Sequence, residues 1–260
     1  MTVVPRSSLP VKCAVYIEGR QARKTMSKTL ALAFTLLSVS CWAQVEVAAT
    51  VPVEGAGGAF TEGPTVDAAG NVYFSELRSQ RIFKLSPDGA LSVFREKSNG
   101  ANGLLIDPQG RLLACESSLT KPRVTRTDLT TGEIEIVADK FEGAPFVSPN
   151  DLTMDGRGRI YFSDQARGGR AAVYRIDPDG RVARILAAPA IETPNGLTVS
   201  PDDRTLYLVE SNLAAGGARM IRAYDLQADG SVSNMRVQFN FYPGRSADGL
   251  SIDVEGNLYA

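Results

Sequence analysis

The 260-residue chain contains no histidine. That gap excludes Ser-His-Asp triads, Cys-His dyads and every His-ligated zinc site. Any chemistry must therefore run on carboxylates, amides, hydroxyls or lysine. Cysteine is scarce, with three residues. A chain cut after Ala43 retains only Cys115, too few for an intrachain disulfide. The strand Arg111-Leu112-Leu113-Ala114-Cys115 marks that thiol as a buried apolar residue. The net charge of −1 gives neither nucleic acid nor an anionic membrane an electrostatic hold. A Gly-x-Ser-x-Gly nucleophile elbow is also missing. The glycines at 55–58 and 216–217 precede no helical pattern, so they are loop glycines and not phosphate cradles.

The first 43 residues differ from the rest. Met26-Ser27-Lys28 opens a basic segment, Thr29–Leu37 is apolar, and Cys41-Trp42-Ala43 offers small residues at a signal-peptidase cut. The expected start is Met26, with cleavage near Ala43 and a secreted or periplasmic product. The apolar run is short for a membrane anchor, and Ser38 weakens a lipidated Cys41. Residues 44–260 then read as one domain.

What fills that domain is a repeat. A hard-oxygen residue followed by Gly or Asp opens a strand at Glu62, Asn102, Asn150, Asn195 and Asp248, and each strand turns back through an Asp-x-x-Gly-like hairpin. The steps of 40, 48, 45 and 53 between these positions, with short strands and turn-rich composition, are the signature of a β-propeller. Between the repeats lies a second hairpin, as in Arg81–Phe94, Val124–Val137, Val173–Leu186 and Ile221–Val232. Two hairpins make the four antiparallel strands of one blade. Four blades are complete and a fifth opens at Asp248 and stops in mid-strand, so about five blades are expected, with truncation at the C-terminus. Residues 45–53 are a candidate closing strand.

A propeller brings equivalent positions of every blade to one end of one channel. Glu62, Asn150, Asn195 and Asp248 then form an all-oxygen set with two carboxylates, which suits Ca²⁺ first and Mg²⁺ or Mn²⁺ behind it. The competing reading makes Asn102-Gly103 and Asn195-Gly196 simple turns. Each repeat, however, already has its turn four or five residues on. A second phased row, Glu76, Glu116, Asp164 and Glu210, ends the next strand at the same end. These acids either orient the ligands and touch substrate, with Glu116 a substrate-binding candidate, or are solvated charges. Arg78, Arg81, Arg123, Arg126 and Arg170 read as surface charges.

The motifs Glu62-Gly63-Pro64, Ser148-Pro149-Asn150-Asp151-Leu152, Thr193-Pro194-Asn195-Gly196-Leu197 and Ala247-Asp248-Gly249-Leu250, with Arg123–Asp128, resemble the gluconolactonase family, which includes regucalcin (senescence marker protein). The resemblance runs from about residue 55 to the end. It implies a six-bladed propeller with a divalent cation held by Glu62, Asn150, Asn195 and Asp248, and Asn102 as a substrate contact. The implied chemistry is hydrolysis of sugar lactones or related esters. The chain departs from regucalcin-like members at Gly100, where they carry an Arg, and from bacterial members at Glu116-Ser117-Ser118, where a His is frequent.

The expected function is thus a metal-dependent lactone hydrolase acting on a small molecule. The cation polarises the carbonyl, and Asp248 accepts a proton from water, since general-base work without histidine falls to a carboxylate. The alternatives are a non-catalytic binding propeller with structural Ca²⁺, and an inactive fragment.

Overall fold

A computed structural model describes residues 59–165 and 169–260. The leader, the cleavage site at Ala43 and the candidate closing strand at 45–53 lie outside the described residues. Within the compact unit Phe60–Ala260, every regular element among the described residues is a β-strand. No helix there is long and apolar enough to cross a membrane.

Four antiparallel sheets follow one another, each with four strands in chain order. The first holds β1 (Thr61–Val66), β2 (Val72–Glu76), β3 (Arg81–Leu85) and β4 (Leu91–Arg95). The second holds β5 (Ala101–Ile106), β6 (Leu112–Glu116), β7 (Arg123–Thr127) and β8 (Ile134–Ala138). A small hairpin, β9 (Lys140–Phe141) and β10 (Ala144–Pro145), precedes the third sheet of β11 (Pro149–Met154), β12 (Ile160–Asp164), β13 (Ala172–Ile176) and β14 (Val182–Ala187). The fourth is β15 (Pro194–Val199), β16 (Thr205–Ser211), β17 (Arg219–Leu226) and β18 (Val232–Asn240), and β19 (Ser251–Ile252) pairs with β20 (Leu258–Tyr259). The two-hairpin repeat read from the sequence is therefore the sheet unit.

The Asp-x-x-Gly turns explain the sharp reversals. Asp67 accepts from the backbone N–H of Ala69 and Asn71, both at 2.9 Å. Gly70 takes φ +83°, a conformation costly for any residue with a Cβ. Strand periodicity then packs sheet on sheet. In β6, Leu112 and Ala114 pack with Tyr73 and Ile82 of the first sheet, while Leu113 and Cys115 face Ile160 and Phe162 of the third. In β12 the intervening Tyr161 turns the other way, onto Leu197, Leu206 and Leu208 of the fourth. Successive side chains point to opposite faces, so each middle strand feeds two cores. The first strands of consecutive sheets lie side by side, β1 by β5, β5 by β11, β11 by β15, and β15 by β19.

Candidate active site

All four innermost strands break register at the same place. The pairing slips between Glu62 and Thr65 in β1, Ala101 and Leu104 in β5, Pro149 and Leu152 in β11, and Pro194 and Leu197 in β15. The slip falls on or beside a phased hard-oxygen residue every time, Glu62, Asn102, Asn150 or Asn195. A bulge re-aims side chains out of the pleat and is frequent beside active sites. Asn102-Gly103 and Asn195-Gly196 lie inside strands, so neither is a hairpin turn.

The glycine after Glu62, Asn102 and Asn195 lets neighbouring strands touch. A Cβ on Gly63 would stand 2.4 Å from the Asn102 carbonyl oxygen. One on Gly103 would stand 2.5 Å from Asp151 Oδ1 and 2.7 Å from the Asn150 carbonyl oxygen, and one on Gly196 would stand 2.5 Å from the Asp248 carbonyl oxygen. Ser75 Oγ bridges two strands, donating to the carbonyls of Asn102 at 2.8 Å and Glu62 at 3.1 Å. Ser117 Oγ donates to the Pro149 carbonyl. Asn195 Nδ2 donates to Asp248 Oδ1 at 2.6 Å and to Ser211 Oγ at 3.3 Å, and the Gly196 N–H donates to the Asp248 carbonyl at 3.0 Å. Glu62, Asn102, Asn150, Asn195 and Asp248 thus sit on one arc of abutting strands. Asp248 lies in the segment just before β19 and is exposed, whereas Asn195 is buried.

Asp151 belongs with this group and was missed in the sequence. It occupies the position where the other repeats carry Gly. Its backbone N–H donates to Ser163 Oγ at 3.1 Å. Its carboxylate accepts from the Leu152 N–H at 2.9 Å and reaches across to the Leu197 N–H of β15 at 3.3 Å. Burial pushes Asp151 up to about 7; the N–H bonds from Leu152 and Leu197 oppose the rise, and Asp248 adds to it. Burial also raises Glu62 to about 7, helped by the charges of Asp248 and Asp151. The neighbouring charges that move Glu62 and Asp151 are all negative. Clustered acidic oxygen without a compensating Lys or Arg is a donor set that a hard divalent cation fits. Among the described residues no three carboxylates gather tightly enough to hold an ion by themselves, so asparagine oxygens would have to complete such a site.

The second row of acids is buried and bonded, not solvated. Glu76, Glu116 and Glu210 are 0% exposed and Asp164 is 1% exposed, which rules out solvated charges. Three of them catch the loop entering their own sheet. Glu76 accepts from the N–H of Phe60 at 2.9 Å, Asp164 from Val147 at 2.9 Å and Ser148 at 2.6 Å, and Glu210 from Thr193 at 2.8 Å. Burial raises Asp164 and Glu210. Burial also pushes Glu76 up, but the bonds from Ser79, Phe60 and Arg78 outweigh it and leave that carboxyl below its ordinary value.

Glu116 requires a correction. Its Oε1 accepts from Arg95 at 2.7 Å and Thr125 at 2.8 Å, and its Oε2 from Arg123 at 2.6 Å and Asn99 at 2.8 Å. Four donors fill the roughly four lone-pair sites of a carboxylate, which leaves none for substrate. Arg123 is consequently an ion-pair partner and not a loose surface charge; Arg81 and Arg126 are also paired, with Glu96 and with Asp107 and Glu135. Cys115 is free, buried, and raised by burial and by the charges of Asp151, Asp164 and Glu116.

Residues 60–260 match the model of the SMP-30/Gluconolactonase/LRE-like region. The chain belongs to this family. It is 26% identical to a gluconolactonase of Zymomonas mobilis, over 99% of this chain and 80% of that protein. Its fold resembles a solved gluconolactonase of Xanthomonas campestris, at TM-score 0.66 and 28% identity over 77% of this chain and 69% of that one. It also resembles the calcium-binding protein regucalcin of Agrobacterium tumefaciens, at TM-score 0.61 and 21% identity over 76% and 66% of the two chains, a likeness of fold alone. The family architecture is a β-propeller, and the sheets described above are its blades.

Proposed function

We propose that this member of the gluconolactonase family hydrolyses sugar lactones with a divalent cation, calcium first, held by Glu62, Asn150, Asn195 and Asp248. The observation that carries the reading is the set of four phased bulges, each falling on or beside a hard-oxygen residue of neighbouring inner strands. The gluconolactonase relatives support the choice of substrate. A bound cation supplies Lewis-acid polarisation of the lactone carbonyl.

The chain's own residues account for the remaining work. The Asn102 and Asn150 amides have no hydrogen-bond partner among the described residues and are half-buried, which leaves Asn102 able to donate to a substrate oxygen. Asp248 is exposed to water, and Asn195 holds one of its carboxylate oxygens, Oδ1. The other oxygen accepts the proton of the attacking water. A six-bladed ring, secretion through the segment from Met26 to Ala43, and Mg²⁺ or Mn²⁺ as substitutes for calcium complete the proposal. Asp248→Asn in the full chain, assayed on gluconolactone with calcium, is expected to lose at least a hundredfold in kcat. Unchanged turnover would remove Asp248 from the reaction.

A further inference from the structure

The segment 241–248, which delivers Asp248, is gripped from the preceding sheet. Arg219, the first residue of β17, directs its guanidinium into two loops at once. Nη1 donates to the carbonyls of Pro243 at 3.2 Å and Gly244 at 3.0 Å. Nη2 donates to those of Leu213 at 2.9 Å and Ala214 at 3.3 Å, and Nε to that of Asn212 at 3.3 Å. The guanidinium carbon lies 5.6 Å from the Tyr242 ring centroid, within cation–π range, and the Arg219 carbonyl accepts from the Phe241 N–H at 2.8 Å.

Both gripped loops border the candidate site. The loop beginning at Asn212 follows Ser211, whose hydroxyl meets the Asn195 amide. The other runs four residues from Gly244 to Asp248. Between them, Ser246 Oγ donates to the Glu210 carbonyl at 2.7 Å. All five guanidinium donors point at carbonyls along a planar fork, a geometry that an ammonium cannot copy.

We propose that Arg219 is a positioning residue for Asp248: its guanidinium clasps the loops at 212–214 and 243–244 and so fixes the approach of the Asp248 carboxylate to Asn195. The proposal rests on Asp248 serving as ligand and base. Arg219 acts through the loop and touches neither ion nor substrate.

The test uses full-length chain carrying Arg219→Ala and, should that variant fold poorly, Arg219→Lys, which keeps the charge and loses the fork. Amide hydrogen exchange is read first because it needs no ion. Exchange at Gly196, whose N–H donates to the Asp248 carbonyl, and through 244–250 is expected to rise at least tenfold while 101–106 is unchanged. Equal protection in variant and parent overturns the proposal. Calcium affinity by calorimetry is then measured in a double-mutant cycle with Asp248→Asn. Arg219→Ala is expected to weaken binding about tenfold, as for residues that orient a ligand, and less than twofold once Asp248 is already Asn. An equal loss in both backgrounds overturns the proposal. If the parent chain binds no calcium, the ion reading fails and the exchange measurement alone decides the clasp.

Discussion

Gly103→Ala probes the close approach of the inner strands directly. The Gly103 backbone is not in the left-handed region, so alanine meets no conformational barrier there; the obstacle is space. The new methyl would lie 2.5 Å from Asp151 Oδ1, 2.6 Å from Asp151 Cα and 2.7 Å from the Asn150 carbonyl oxygen. Ordinary carbon contacts start near 3.5 Å, so β5 and β11 must separate by about 1 Å. Overpacking of this kind costs about 1–3 kcal/mol, partly offset by about 0.4–1 kcal/mol from the stiffer unfolded chain. A net loss of about 1–2 kcal/mol lowers Tm by roughly 2–8 °C for a unit of this size. Thermal unfolding followed by circular dichroism reads the variant against the parent chain. Melting of Gly103→Ala at the parent's temperature would refute abutting inner strands, and with them the gathered site.

Glu116→Gln removes the charge that pairs Arg95 and Arg123 while keeping the shape. It is expected to cost about 3 kcal/mol in denaturant unfolding and to leave KM for the lactone unchanged; a tenfold rise in KM would restore Glu116 as a substrate contact. For the ion-free chain, Glu62 and Asp151 bind protons more tightly folded than unfolded. Their contribution to stability is therefore fully present below about pH 4 and is lost as pH rises through about 7, where both lose their protons. Melting with chelator at pH 5.5 and 8 checks the sign, and a higher Tm at pH 8 would contradict it. Calcium competes with those protons, so its affinity is expected to climb over the same interval, as calorimetry at two pH values will show.

The sequence displays the repeat because each inner strand opens on a hard oxygen and closes on an Asp-led turn, and both are local features. Hence Glu62, Asn102, Asn150, Asn195 and Asp248 could be found by phase alone. The bulges could not, since a register slip depends on how β2, β6, β12 and β16 pair with their partners. Asp151 shows the same limit. Its one signal was an acid where the other repeats carry Gly, and its role follows from the Leu197 N–H of the next sheet. Glu76 and Asp164 look like solvent-facing strand ends until the chain folds the Phe60 and Val147 N–H groups onto them, from 16 and 17 residues away. The five carbonyls that Arg219 gathers leave no trace in side-chain identity.

The most direct test is turnover of gluconolactone by the full chain in a pH-stat, before and after chelation and on re-addition of calcium. Loss of activity with chelator and its return with about one calcium per chain is the predicted result. Hydrolysis at the same rate in excess chelator would contradict a cation held by Glu62, Asn150, Asn195 and Asp248.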